Sequence, residues 1–263
     1  MKFDDSILHI KNSSYEAKIL TQGAQLVSFK LSNVEFFWYA DFSTFKYGKA
    51  FRGGIPVCWP WFGGENSPNH GFARIVDWKL LDRIDSADTT LLRFNLTSSK
   101  KTMAIWPYKF ELKLTIILSN KGVEVKLDVE TSIKTTGALH TYLKIENIQS
   151  TTVKGLGSSY FDKLFNVTIQ NVNSKRLSFS KEIDRIYLKP EAVTLLSNRN
   201  DLLKITHVNN SDIVVWNPWK KSRDFQDMNN EDYKVMVCIE TARINKKFKH
   251  KDSLGCVIEK DVD

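Results

Sequence analysis

Apolar and polar residues alternate along most of the chain with a period of two, not with the 3.6-residue period of a helix. Residues 110–118 and 123–129 both alternate in this way, and the turn-forming segment 119–122 separates them. Alternation places every second side chain on the same face of a strand, while Asn120 and Gly122 favour the positive φ of a tight turn. Together these segments predict a β-hairpin.

Other short segments carry the same strand signature. They are residues 17–20, 25–31, 78–84, 90–96, 144–148, 166–170, 202–207, 212–216 and 234–240. Many short strands with almost no amphipathic helix favour an all-β sandwich or barrel. No linker-like stretch or internal repeat divides the chain, so we predict one domain over residues 1–263.

The segment 49–74 departs from this alternation. It holds five of the twelve glycines, three of the six prolines and two of the seven tryptophans. A long loop of this kind, carried by regular strands, is where function often resides. The alternative is a covering loop that seals one end of the core with its tryptophans, and composition leaves both interpretations open.

Bulk composition, at 42% hydrophobic and 26% charged residues, is typical of a globular protein. Two aspartates within residues 1–10 stand where a signal peptide would be basic, and no apolar run reaches the roughly 18 residues of a membrane span. Cys58, Cys238 and Cys256 are odd in number and far apart, which argues for a reducing compartment without disulfides. We therefore predict a cytoplasmic protein with no membrane partner.

The formal net charge of +8 is compatible with nucleic acid, an acidic surface or an anionic small substrate as partner. Most lysines are scattered singly through strand-like segments, and the one local concentration, residues 245–251, is short. This distribution is typical of a solvated surface. We predict no nucleic-acid partner.

Two titratable residues stand in otherwise apolar surroundings. His140 lies at the start of a strand-like run, where a histidine is more often structural than catalytic. Glu240 follows the apolar segment 235–239. Burying an unpaired carboxylate costs several kcal/mol, so Glu240 is expected either to have a functional role or to form an ion pair with a cationic residue. The two residues differ in intrinsic pKa, as acid–base chemistry requires.

Arg52 and Arg74 flank the glycine-rich loop, and guanidinium groups match the geometry of phosphate and carboxylate. His70, in the same loop, could act as a ligand, as a catalytic base or as a residue that holds the loop in place. The five histidines are dispersed without ligand spacing, and no Walker, GxGxxG or GxSxG motif is present. We therefore predict no metal and no cofactor.

Ordered blocks between residues 52 and 240 resemble those of the glucose-6-phosphate 1-epimerases, the hexose-6-phosphate mutarotase branch of the aldose 1-epimerase superfamily. The blocks are RGGIPVCWPWFG (52–63), HGFAR (70–74), LHTY (139–142), Gly155-Leu156 with Tyr160 and Asp162-Lys163, EIDRIY (182–187), VWNPW (215–219) and VCIE (237–240). The resemblance implies the galactose-mutarotase-like supersandwich, a large twisted antiparallel β-sandwich.

The resemblance also implies roles for individual residues. The catalytic histidine and glutamate of the family fall on His140 and Glu240. Its substrate-contacting arginines fall on Arg52 and Arg74, and a substrate-contacting aspartate falls on Asp184. Asp184 then either holds a sugar hydroxyl or orients His140.

Two further substrate contacts are expected in the loop, at Asn69 and His70. Some family members carry glutamine where this chain has Asn69, which keeps the amide but is one methylene shorter. The aromatic residues Trp59, Trp61, Phe72 and Trp216 either stack on the sugar or plug the core.

The implied reaction exchanges the α and β anomers of a hexose 6-phosphate, with glucose 6-phosphate as the expected substrate of a monomeric enzyme. Glu240 would take the proton of the C1 hydroxyl, while a protonated His140, with its ordinary pKa near 6.5, would protonate the ring oxygen. The alternatives are an epimerase of unphosphorylated sugars and a non-catalytic carbohydrate-binding protein.

Overall fold

The computed structural model describes residues 6–172, 176–198 and 201–261, which form β-strands with a few short helical turns. The strands are β1 (Ile7–Lys11), β2 (Tyr15–Leu20), β3 (Gln25–Leu31), β4 (Val34–Glu35), β5 (Val57–Cys58), β6 (Lys79–Asp85), β7 (Thr89–Thr97), β8 (Phe110–Ser119), β9 (Gly122–Thr131), β10 (Thr135–Leu139), β11 (Tyr142–Lys144), β12 (Thr151–Lys154), β13 (Tyr160–Asp162), β14 (Val167–Ile169), β15 (Arg176–Ser178), β16 (Ile183–Leu188), β17 (Val193–Asn198), β18 (Asp201–Val208), β19 (Asp212–Asn217), β20 (Met236–Phe248) and β21 (Lys251–Lys260). One α-helix, α1 (Lys100–Ile105), is joined by 3₁₀ turns at Phe42–Thr44, Ala73–Ile75, Ile148–Ser150, Trp219–Asp224 and Asp232–Lys234.

These strands form three antiparallel sheets. A four-stranded sheet has the order β1-β2-β3-β4, and a nine-stranded sheet, here the back sheet, runs β15-β12-β17-β18-β21-β9-β8-β7-β6. The eight-stranded sheet, here the site sheet, has the order β14-β13-β16-β19-β20-β10-β5, with β11 also paired to β20. The predicted all-β class is confirmed.

The predicted hairpin is confirmed as β8 and β9. Leu118 pairs with Val123, and the burial of β8 alternates along its length as the sequence pattern requires. Gly122 has a φ of +153°, but Asn120 is not in the positive-φ region, so glycine alone supplies the unusual backbone conformation of this turn.

Two strand predictions were wrong in their limits. In the predicted strand 144–148, β11 already ends at Lys144, because the Asn147 side chain accepts the Gln149 N–H and starts a 3₁₀ turn. In the segment 234–240, β20 continues to Phe248, because its second half pairs with β10. Pairing with a neighbouring strand therefore extends β20 well beyond its apolar run.

The strand β10 was not predicted, since all five of its residues are buried and no alternation marks it as a strand. The helix α1 was also missed, although Ser99 and Thr102 form a capping box at its start.

The core is continuous between the sheets. One cluster of buried residues includes Ile19 of the four-stranded sheet, Ile239 of the site sheet and Ile258 of the back sheet. Trp59 and Phe72 are fully buried in this cluster, so the segment 49–74 does in part cover the core. Within the described residues, no helix is long and apolar enough to cross a membrane.

Candidate active site

A cavity of about 270 Å³ opens on the site sheet, close to the lower end of the roughly 300–1,000 Å³ typical of small-ligand sites. All of the predicted site residues line it, namely Arg52, Asn69, His70, Arg74, His140, Asp184 and Glu240. Trp216 lines the cavity as well, whereas Trp59, Trp61 and Phe72 belong to the core cluster. Residues far apart in the sequence therefore converge on one polar cavity.

His140 and Glu240 face each other across adjacent strands. Glu240 lies in the middle of β20, opposite Val214 of β19, and not at the end of a strand as predicted. His140 lies in the short break between β10 and β11, and its backbone N–H donates to the Pro56 carbonyl at 3.0 Å. The resulting distance from His140 Nε2 to Glu240 Oε1 is 3.3 Å.

Burial determines the protonation of this pair. His140 is 6% exposed and Glu240 1% exposed. Burial raises the pKa of Glu240 well above its ordinary value and lowers the pKa of His140 well below its own, because burial penalises each charged form. The expectation of an ordinary histidine pKa was therefore wrong. Both shifts favour the neutral forms, a carboxylic acid beside an uncharged imidazole.

Two polar atoms of the pair have no hydrogen-bond partner among the described residues. They are Nδ1 of His140 and Oε2 of Glu240, which are both buried. Buried polar groups are normally satisfied, and exceptions often occur at functional sites. The pair is consequently not a structural ion pair in which every donor and acceptor is used.

Aromatic rings hold His140 in place. The ring of Tyr142 stacks on His140 with centroids 4.7 Å apart and planes 13° apart, and His70 contacts it edge-on at 5.4 Å. The Tyr142 hydroxyl oxygen accepts a hydrogen bond from Arg52 at 3.4 Å. The sequence reasoning assigned no role to Tyr142, although a residue two positions from His140 in a strand-like run is expected on the same face.

His70 is fixed as a neutral hydrogen-bond donor. Its Nδ1 accepts the Gly63 N–H at 3.2 Å, which leaves the proton on Nε2. Burial, together with the charge of Arg74, lowers the pKa of His70 to about 3. The neighbouring Asn69 lines the cavity, and its carbonyl accepts from the Arg74 guanidinium at 2.7 Å.

Three cationic side chains line the cavity, and they differ in their partners. Arg52 Nε donates to Asp227 at 2.9 Å, and Lys163 Nζ donates to both oxygens of Asp184 at 3.0 and 2.8 Å. Arg74 forms no ion pair with any residue in the described ranges, and its Nε is buried without a partner. Of these three cationic side chains, Arg74 is thus the one whose guanidinium group can still bind an anion.

Lys163 and Asp227 were not predicted as site residues. Asp227 lies 175 residues from Arg52 in a turn-rich segment, so no local pattern links the two. Lys163 stands within a quoted sequence block, and Asp162 fixes its turn by accepting the Leu164 N–H and pairing with Arg185.

Asp184 holds Lys163 and does not orient His140. Both Asp184 oxygens accept from the lysine, while His140 Nε2 faces Glu240 and its Nδ1 is unpaired. Of the two roles considered for Asp184, the contact with a sugar hydroxyl stays a prediction.

One group of side chains at this site has the composition of a metal site. His140, Cys238 and Glu240 each offer a donor atom, and these atoms lie within 4.8 Å of one another. No ligand spacing in the sequence indicates this group, because the three residues come from two different parts of the site sheet.

A second cavity, of about 470 Å³, is lined by residues that include Glu35, Phe36, Leu196 and Leu203. No histidine and none of the predicted site residues are among its described lining residues. The smaller cavity is therefore the candidate active site.

Comparison with known proteins relates the whole chain to sugar epimerases. Residues 6–252 match the family described as Aldose 1-epimerase. An Escherichia coli (strain K12) protein named "Putative glucose-6-phosphate 1-epimerase" is 36% identical over 250 residues, which span 92% of this chain and 84% of that protein. The crystal structure of a "putative mutarotase" from Salmonella typhimurium has a TM-score of 0.92 at 31% identity, covering 98% of this chain and 92% of that one.

The fold extends to more distant relatives. A galactose mutarotase-like protein from Lactobacillus casei, at 15% identity, has a TM-score of 0.72 over 97% of this chain and 100% of that one. The predicted galactose-mutarotase-like β-sandwich is confirmed.

Proposed function

Since the chain belongs to the aldose 1-epimerase family, we propose that it is an isomerase that interconverts the α and β anomers of hexose 6-phosphates, glucose 6-phosphate above all. The observation that carries this proposal is the buried His140–Glu240 pair, 3.3 Å apart, in a cavity that also holds an arginine with no ion-pair partner in the described part of the chain. A cytoplasmic location, a monomeric state and the lack of nucleic-acid and membrane partners stay predictions.

The chemistry of anomer exchange requires two proton transfers. The C1 hydroxyl loses a proton while the ring oxygen gains one, the ring opens, and rotation about C1–C2 precedes closure on the other face. Both oxygens are bonded to the same carbon, so two groups 3.3 Å apart reach them together. Positioned acid–base groups contribute about 10²–10⁴-fold each.

The neutral pair supports this exchange without a change in its total protonation. Within the pair, one residue can donate a proton and the other has a free lone pair. The donor protonates the ring oxygen of the sugar, while the other residue accepts the proton of the C1 hydroxyl. In the ionised arrangement Glu240 is the base and His140 the acid, and in the neutral arrangement the roles are reversed. Ring closure returns both protons, which is why the pair is regenerated after each turnover.

The phosphate preference rests on charge. The lining has three cationic side chains against three carboxyl groups, and burial raises the pKa of one of these, Glu240, which favours its uncharged form. Because Arg52 and Lys163 are already ion-paired, we assign the largest share of phosphate binding to Arg74. His70 Nε2–H and the Asn69 amide are neutral donors for the sugar or for a phosphate oxygen.

The substrate test compares exchange rates on glucose 6-phosphate and on glucose by NMR exchange spectroscopy. We expect a much higher kcat/KM for the phosphate. Arg74→Ala should lower that value by about 10–100-fold, as loss of a charged hydrogen bond implies, and should leave the rate on glucose nearly unchanged. Arg93→Ala, an exposed arginine of the back sheet, is the control. Equal rates on both sugars would favour an epimerase of unphosphorylated sugars.

The catalytic test is Glu240→Gln. We expect turnover to fall by about 10²–10⁴-fold, while calorimetric binding of glucose 6-phosphate changes only slightly. Glu35→Gln replaces a half-buried carboxyl outside the cavity and should keep its turnover per folded molecule. A Glu240 variant as active as the parent would remove this residue from the mechanism, and a parent that binds without turnover would indicate a carbohydrate-binding protein.

A further inference from the structure

Cys238 faces the candidate active site from the neighbouring position on β20. In the site sheet, Asp184 pairs with Trp216, Trp216 with Cys238, and Cys238 with Tyr142, so these side chains form one row across four strands. Residues paired directly across strands point to the same face of a sheet, as do residues two apart along a strand. Cys238 therefore shares its face with Glu240, and its sulfur belongs to the group of donor atoms within 4.8 Å.

We propose that His140, Cys238 and Glu240 form a binding site for a thiophilic divalent cation such as Zn²⁺, which inhibits the enzyme reversibly by occupying the acid–base pair. Inhibition rests on the proposed function, whereas binding of the cation does not. Imidazole nitrogen, thiolate sulfur and carboxylate oxygen are the three protein ligand types of Zn²⁺, and the soft sulfur ligand disfavours Mg²⁺ and Ca²⁺.

The distances between the donor atoms and the position of the cavity are compatible with a cation and an entry path. Zn²⁺ bond lengths of about 2.0–2.3 Å place tetrahedral ligands roughly 3.3–3.8 Å apart, so donors within 4.8 Å need shifts of about an ångström. His140 and Glu240 line the cavity, which gives the ion its route and leaves a fourth position for water or a sugar hydroxyl.

The unpaired atoms of the pair indicate a reversible site. A bound cation would compensate the buried Glu240 carboxylate, one oxygen of which has no partner. However, a histidine that holds a resident metal normally donates its other ring N–H to an acceptor, and Nδ1 of His140 has none among the residues that the structure describes. We therefore expect an inhibitory ion in exchange with solvent, not a tightly held cofactor.

Proton balance makes the binding depend on pH. The cation takes the thiolate, so the Cys238 thiol releases its proton to solvent, and Glu240 releases its own where it is protonated. Because binding releases protons, the affinity should rise with pH.

The binding test uses Co²⁺ as a spectroscopic probe for the same ligands. We expect the parent protein to show a thiolate-to-cobalt charge-transfer band that glucose 6-phosphate abolishes by competition. Cys238→Ser should lose the band, and Cys256→Ser, which replaces a buried cysteine of the back sheet, should keep it. A band that persists in Cys238→Ser, or that the sugar phosphate leaves intact, would overturn the site.

The inhibition test measures anomer exchange against Zn²⁺, with each variant normalised to its own metal-free rate. Inhibition should be competitive with glucose 6-phosphate, absent with Mg²⁺, and about 10–100-fold weaker in Cys238→Ser than in Cys256→Ser. Equal Zn²⁺ sensitivity of the two variants would refute the proposal.

Should Cys238→Ser fail to fold, competition between the sugar phosphate and Co²⁺ on the parent protein decides the question alone. The cobalt band is read without turnover, so it separates failure of this site from failure of the proposed function.

Discussion

At the scale of single residues, the buried carboxyl group of Glu240 destabilises the folded protein. Its carboxyl is 1% exposed, one of its oxygens is unpaired, and its nearest titratable partner is a histidine whose own pKa is lowered by burial. Packing alone does not explain this arrangement, since an unsatisfied buried polar group lowers the free energy of unfolding by about 1–3 kcal/mol. The residue is therefore expected to trade stability for activity.

The pH dependence of stability tests this trade. The pKa of Glu240 is raised in the folded state above its value of 4.5 in the unfolded chain, so the folded protein binds more protons between the two values. The contribution of Glu240 to the free energy of unfolding is fully present below about pH 4.5. This contribution is lost as the pH rises through the pKa that Glu240 has in the folded protein. Glu240→Gln should therefore raise the Tm at neutral pH, by about 2–4 °C for each kcal/mol recovered, and the gain should vanish near pH 4.

Glu35→Gln provides a control at a hydrogen-bonded carboxyl. The Glu35 carboxylate accepts hydrogen bonds from the Ser28 hydroxyl and from the backbone N–H groups of Phe29 and Phe37. Burial raises the pKa of Glu35 as well, but these hydrogen bonds oppose the shift, so this variant should raise the Tm at neutral pH by less than Glu240→Gln does. A Glu240 variant that lowers the Tm by the same amount at every pH would contradict the interpretation that the buried Glu240 carboxylate is destabilising.

At the scale of elements, the loop 49–74 depends on close backbone approach. Gly71 has a φ of +73°, and a Cβ there would lie 2.0 Å from the Trp59 carbonyl oxygen. This contact joins the buried Trp59 to the turn that carries Asn69, His70 and Arg74. The loop is thus both a cover of the core and one wall of the site, which resolves the two interpretations left open by composition.

Gly71→Ala should therefore damage both stability and binding. A methyl group against backbone in a left-handed conformation should cost on the order of 2–5 kcal/mol and raise the KM for glucose 6-phosphate. Gly63→Ala is the matched control, because Gly63 has a φ of +78° but open space around its Cβ position. It should cost only about 1–2 kcal/mol, and equal effects on urea unfolding would show that the approach to Trp59 is unimportant.

At the scale of the whole molecule, the sheets share one apolar core. The same cluster runs from Ile19 through Ile239 to Ile258, so no sheet can open without exposing surface of the others. This continuity supports the single domain predicted from the uniform strand pattern.

Unfolding should accordingly be cooperative. We expect one calorimetric transition whose measured enthalpy equals the van't Hoff enthalpy, with tryptophan fluorescence and far-ultraviolet circular dichroism changing together. Two resolved transitions would indicate separately folding units and would contradict the single domain.

The sequence alone determined the class of the fold and the types of chemistry. Alternation with a period of two depends only on which side of a strand a residue faces, so β8 and β9 are readable locally. Glu240 was likewise noticeable because a charged residue among apolar neighbours is costly, and Arg52 because it flanks the glycine-rich loop. Strands buried on both faces, such as β10, carry no such local signal.

The tertiary structure decided which of those residues act together and in what charge state. His140 and Glu240 are 100 positions apart, and the partners of Arg52 and Lys163, Asp227 and Asp184, come from distant segments. A pKa depends on how much water the surrounding sheets remove and on which charges they bring near. That information exists only after the chain has folded, which is why the opposite pKa shifts of the pair were not visible in the sequence.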